Sequence, residues 1–147
     1  MRIIIETPAE GEDEIIIRCR ELDEELMNLI YALGQGRRHI TGYSGKAMVQ
    51  LVPTDIYYFE SVDNKVFAYC KKDVYEVKEK LYELESAYKN TDFQRISKSV
   101  IANISFIEAV LPMLGARLEA KLKNGERVII SRQYVPELKK KLGIGER

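Results

Sequence analysis

Asp55-Ile56-Tyr57-Tyr58-Phe59-Glu60-Ser61-Val62-Asp63-Asn64-Lys65-Val66-Phe67-Ala68-Tyr69-Cys70 is the stretch on which the fold turns. Aromatic and β-branched residues crowd Ile56–Ser61 and Lys65–Cys70, and both kinds suit the pleated surface of a sheet. Between them stands Asp63-Asn64, two residues that tolerate positive φ and so mark a tight hairpin turn. The segment predicts an antiparallel β-hairpin.

Outward from it the strands continue. Upstream, Pro53-Thr54-Asp55 breaks the run, and His39–Tyr43 and Ala47–Val52 read as strands around the polar turn Ser44-Gly45-Lys46. Downstream, Lys71-Lys72-Asp73 turns the chain into a short strand at Val74–Glu76. Val77, Leu81, Leu84 and Tyr88 then carry an amphipathic helix that ends near Lys89-Asn90. Phe93–Ile96 is extended, and Ser97–Ala102 reads as a helical turn or an irregular loop. Asn103–Leu111, Ala116–Lys123 and Glu126–Ser131 read as strands, with Asn124-Gly125 the strongest hairpin signal, of type I′. Tyr134–Leu142 closes as a helix, with Pro136 near its start and Gly143 at its end.

The N-terminal part predicts strands at Arg2–Glu6 and Glu14–Arg20, then a helix. Asp23 stands as its N-cap, Leu22, Leu26, Leu29, Ile30 and Leu33 follow helical spacing, and Gly34 is placed as the C-cap before a Gln35-Gly36-Arg37-Arg38 exit. The fold class is mainly β with short helices (α+β). Without sustained βαβ alternation, a doubly wound parallel sheet is disfavoured.

The chain has 147 residues, with 23 Lys+Arg against 23 Asp+Glu. A formal net charge of zero counts against a nucleic-acid protein, yet the zero is a cancellation. Residues 1–44 hold 5 basic and 9 acidic residues (net −4), and residues 45–147 hold 18 and 14 (net +4). Apolar runs such as Ile3-Ile4-Ile5 are too short to span a bilayer, and the N-terminus lacks a signal-peptide pattern. Cys19 and Cys70 are far apart and read as reduced thiols of a cytoplasmic protein. A single histidine, His39, and no clustered ligands argue against a metal site or a catalytic triad. No phosphate-binding glycine motif is present. No cofactor, small-molecule substrate or catalytic residue is expected.

Three basic, polar turns stand out: Ser44-Gly45-Lys46, Arg95-Ile96-Ser97-Lys98-Ser99 and Ser131-Arg132-Gln133-Tyr134. Each joins long cations to short hydroxyl or amide donors. Cations neutralise phosphate and release counterions. Hydroxyls and backbone N–H groups orient on the phosphodiester, and Arg, Lys and Gln donate to purine edges in the major groove. Solvated loop tips of no function have the same composition, so the turns alone leave the choice open.

The pattern Asp55–Ser61, then Phe93–Asn103 (Phe-Gln-Arg-Ile-Ser-Lys-Ser-Val-Ile-Ala-Asn), then Asn124-Gly125-Glu126 and Ile130-Ser131-Arg132 with Tyr134, resembles the LytTR family of bacterial DNA-binding output domains. The resemblance implies an elongated fold of small antiparallel sheets whose loops, rather than a recognition helix, enter successive major grooves. It puts DNA contacts at Ser44 and Lys46, at Ser97, Lys98 and Ser99, and at Arg132, Gln133 and Tyr134. Many members carry a histidine where Ser97 stands, which makes Lys98 the chief candidate in that loop.

The resemblance further implies a transcriptional regulator on promoter DNA and two protomers on tandem direct repeats. Many members carry a receiver domain of over a hundred residues, which the 44 residues before the DNA-binding part are too few to form. It divides the chain into a strand-strand-helix appendage, 1–44, and a DNA-binding domain, 45–147. The appendage caps an edge strand, mediates dimerisation, or receives a small membrane protein that restrains the regulator. Two other readings remain: a protein-interaction module with a basic face, and a binder of RNA or single-stranded DNA using Tyr57, Tyr58, Tyr69 and Tyr75 as a stacking platform.

Overall fold

The computed structural model describes residues 2–35 and 40–144. The order is α1 (Glu24–Gln35), β1 (Ile40–Ser44), β2 (Ala47–Leu51), β3 (Tyr58–Val62), β4 (Lys65–Tyr69), β5 (Val74–Val77), α2 (Leu81–Ala87), β6 (Phe93–Arg95), β7 (Val100–Asn103), β8 (Ile107–Met113), β9 (Arg117–Leu122), β10 (Arg127–Ile130) and α3 (Val135–Leu142). A seven-stranded sheet runs β2-β1-β5-β4-β3-β7-β6, and a three-stranded sheet runs β10-β9-β8. All their pairings are antiparallel. The mainly β class with short helices is the one expected.

Strand alternation builds two cores. Phe59, Val66, Ala68, Val77 and Ile101 cluster with Leu81 and Leu84 of α2 and with Tyr88 just after it. Val100 and Ala102 join Leu118, Ala120, Leu122, Val128 and Ile130 of the small sheet and Leu138 of α3. β7 is therefore covered on both sides, and all four of its residues are buried. For that reason Ser97–Ala102 shows no period-2 pattern, and the expected loop or helical turn is instead a strand from Val100. Asn103 ends that strand rather than beginning the next, and a 3-10 turn at Ile104–Phe106 separates the two.

Other boundaries shift for local reasons. Val77 pairs with Val66 and ends β5 instead of starting a helix. α2 begins at Leu81, where the Glu83 carboxylate accepts the Lys80 N–H at 3.0 Å. The both-positive turn falls at Asp63 (φ 51) and Asn64 (φ 65). At Asn124-Gly125 only the glycine is left-handed, with φ 90. There Leu122 O accepts the Gly125 N–H at 2.9 Å, and Asn124 Oδ1 accepts the Glu126 N–H at 3.0 Å. This is a turn followed by a glycine bulge, not type I′. Gly143, with φ 69, caps α3 as expected.

α1 starts where predicted, with Asp23 Oδ1 accepting the Leu26 N–H at 2.8 Å. It runs through Gly34 to Gln35, so Gly34 is not its cap. The strands expected at Arg2–Glu6 and Glu14–Arg20 are absent, because neither segment has a strand partner among the described residues. His39 and the Gly36-Arg37-Arg38 exit lie outside the described residues. The division expected between residues 44 and 45 falls in the β1–β2 turn, so the large sheet takes β1 from its N-terminal side. Among the described residues no helix is long and apolar enough to cross a membrane.

Candidate nucleic-acid interface

Strand direction decides which turns share an end of the large sheet. A row of cross-strand partners runs Tyr43, Glu76, Phe67, Glu60, Val100. The β6–β7 and β3–β4 turns lie beyond one side of this row, and the β1–β2 turn lies beyond the other. From strand rise and spacing, Ser44–Lys46 stands on the order of 20 Å from Ser97–Ser99. Gly45, with φ 59, takes the first central place of its two-residue turn, and Ser44 and Lys46 are exposed.

The second and third basic turns come together. Ile96 O accepts the Ser131 N–H at 2.8 Å, which sets Arg132 and Gln133 beside Ser97. Lys98, Arg132 and Gln133 are exposed. Tyr134 is half-buried against the second core. On the other flank, Ser99 O accepts the Ser61 N–H at 2.8 Å, extending the β3–β7 pairing toward the Asp63-Asn64 tip. One edge thus presents Asn64 and Lys65, Lys98, then Arg132 and Gln133, all exposed. The hairpin tip is absent from the expected site residues. Only the β3–β7 pairing brings it to this edge, and local sequence carries no sign of that pairing.

Arg95, one of the two cations of its turn, faces inward. Its Nε donates to Ser97 O at 2.7 Å, its Nη2 to Lys98 O, and its Nη1 meets Glu85 at 3.0 Å. The Ser97 hydroxyl accepts the Ser99 N–H at 3.2 Å. The loop is shaped by its own side chains, which leaves Lys98 projecting.

The tyrosines of that platform are engaged within the protein, Tyr75 by packing against the first core. Tyr57 is buried and stacks on Phe106 at 3.9 Å, and Tyr58 stacks on Tyr69 at 4.3 Å. Tyr58 donates to Glu126 at 2.7 Å and Tyr69 to Glu60 at 3.1 Å. Burial first, then the Glu126 carboxylate, holds the Tyr58 phenol above its ordinary value of 10.0. Rings stacked on each other and tied to carboxylates make a poor platform for anionic single strands.

The LytTr DNA-binding domain family matches residues 46–143. The chain belongs to that family. A solved LytTr DNA-binding domain from Bacillus cereus superposes with a TM-score of 0.70 at 26% identity, covering 74% of this chain and all of that one. The sensory transduction protein LytT of Bacillus cereus is 36% identical over 90 residues, 61% of this chain but only 37% of that protein. An uncharacterized HTH-type transcriptional regulator of Staphylococcus aureus is 28% identical over 137 residues, 92% of each chain. The LytTr stretch holds Lys46, Lys98, Arg132 and Gln133, and leaves α1 and everything before it outside.

Proposed function

We propose that this LytTr chain is a bacterial, cytoplasmic transcriptional regulator that binds duplex DNA at specific sequences. Loops enter successive major grooves, and two protomers occupy tandem direct repeats. Lys98, Arg132 and Gln133 donate to base edges. Ser97, Ser99, Asn64, Lys65 and the Tyr134 hydroxyl orient on the flanking phosphates. The observation that carries this reading is the Ser131–Ile96 hydrogen bond, which joins two basic turns into one edge within a LytTr domain. Ser44 and Lys46 stand outside that edge.

Salt-titrated binding to duplex and single-stranded oligonucleotides tests it. A selected duplex is expected to bind roughly a thousandfold tighter than random duplex. Lys98→Ala and Arg132→Ala are each expected to cost about 1–3 kcal/mol where the side chain reads a base, while Lys46→Ala stays within about twofold. Equal affinity for every duplex overturns the reading, as does a single-stranded preference.

A further inference from the structure

The segment before β1 leaves a series of large apolar side chains exposed. Ile3 and Ile5 are 86% and 85% exposed, Ile15 and Ile16 are 61% and 63%, and Leu22, Met27, Leu29 and Ile30 are exposed as well. Summed along residues 3–30 they present on the order of 1,000 Å², comparable with the about 800 Å² that each partner contributes to a standard interface.

Charge identifies the occupant. The triplets read Arg2-Ile3-Ile4-Ile5-Glu6 and Glu14-Ile15-Ile16-Ile17-Arg18, each bracketed by opposite charges in opposite order. Paired antiparallel within one chain about Ile4 and Ile16, they would set Arg2 against Arg18 and Glu6 against Glu14. Like charges directly opposite destabilise a ladder. A two-residue slip sets Ile4 against Glu14 or Arg18 instead. Parallel pairing would match the charges, but it needs a crossover of about a dozen residues or more, and only residues 7–13 lie between. Consistently, the two segments are not paired with each other or with any strand among the described residues. Against the same segment of a second copy, antiparallel pairing sets Ile4 on its counterpart and Arg2 on Glu6 at both ends. Glu14–Arg18 behaves likewise about Ile16. A basic or acidic partner of another kind would meet only one of the two bracketing charges.

We propose that residues 2–20 are a dimerisation arm in which each isoleucine triplet pairs antiparallel with the same triplet of a second copy, Arg2 opposite Glu6 and Glu14 opposite Arg18. The apolar stripe of α1 covers the ribbons so formed. This rests on the two-protomer reading above and joins the protomers through their arms alone, because direct repeats do not share the two-fold axis of the arm pairing. Its test uses no DNA, so its failure leaves DNA binding untouched.

The test is sedimentation equilibrium of the full chain at micromolar concentration. The parent is expected to be dimeric. Arg2→Glu is expected to raise the dimer dissociation constant roughly tenfold or more, since it creates two like-charge contacts. Adding Glu6→Arg to it restores self-complementarity and is expected to recover the parent value within about threefold. Ile4→Lys is expected to give monomer. Far-UV circular dichroism of each variant checks that the β body stays folded. A monomeric parent, an unaffected Arg2→Glu dimer, or a double swap that fails to restore association overturns the proposal.

Discussion

Three nitrogens of the Arg95 guanidinium bind inside the protein, two to carbonyls of the loop they shape and one to Glu85. Its side chain is only 15% exposed. Charge alone is therefore not its role, and the planar fork is. Arg95→Lys keeps the charge and loses the fork. Arg95→Lys and Arg95→Ala are expected to weaken specific DNA binding alike, by about tenfold, because each frees Lys98 from its set position. A lysine variant that binds like the parent would show that charge suffices. Asn103 makes a different case, being 2% exposed. Its Nδ2 donates to Ile56 O at 3.0 Å, and its Oδ1 accepts from the Ser105 N–H at 3.1 Å and hydroxyl at 2.6 Å. Asn103→Ala leaves the Ile56 carbonyl without that donor and is expected to cost about 1–3 kcal/mol in urea unfolding, with DNA contacts unchanged once folded.

Elements differ in how plainly the sequence announces them, and the difference tracks burial. β4 and α3 were legible because each shows one covered face and a turn or cap residue at its end, and β3 because an aromatic run leads into the Asp63-Asn64 turn. β7 was not, since both its faces are buried and alternation disappears. Asn124-Gly125 invites a two-residue turn, yet the strands it joins accommodate a glycine bulge, and Asp63-Asn64 adopts the both-positive form instead. At the candidate site the basic turns were legible one by one. Their meeting was not, because it depends on a bond between Ser131 and Ile96, far apart in the chain. The two sheets are tied in a similar way by Tyr58 of β3 and Glu126 of the β9–β10 turn. Burial and Glu126 raise the Tyr58 phenol, and burial and Glu60 raise that of Tyr69. A raised phenol favours the fold while protonated, so this stabilisation is full below pH 10 and falls as pH climbs above 10, where unfolded tyrosine ionises. Melting temperature followed from pH 8 to 11 is expected to drop less steeply for Tyr58→Phe than for the parent. Parallel curves would mean the pair does not couple to folding.

At the scale of the whole molecule, a net charge of zero conceals two opposed parts. Residues 2–35 hold 3 basic and 9 acidic residues, and the described LytTr body beyond them is net basic. An acidic arm on a DNA-binding body repels the same phosphates that the body attracts, and the repulsion reaches about a Debye length, near 10 Å at 0.1 M salt. Deleting residues 1–35 is therefore expected to raise affinity for random duplex several-fold at low salt, with the gain vanishing as salt rises. Deletion also removes the dimerisation arm, which by itself would lower affinity for long DNA through lost avidity. A duplex of about one and a half helical turns, with room for a single protomer, separates the two effects. On that duplex only the charge effect remains, and the truncated chain should bind more tightly. On tandem repeats the loss of pairing works against it, and specific binding should weaken. A truncated chain with unchanged affinity on the short duplex at low salt would mean that the arm's carboxylates sit too far from the edge formed by Lys98 and Arg132 to temper its hold on DNA.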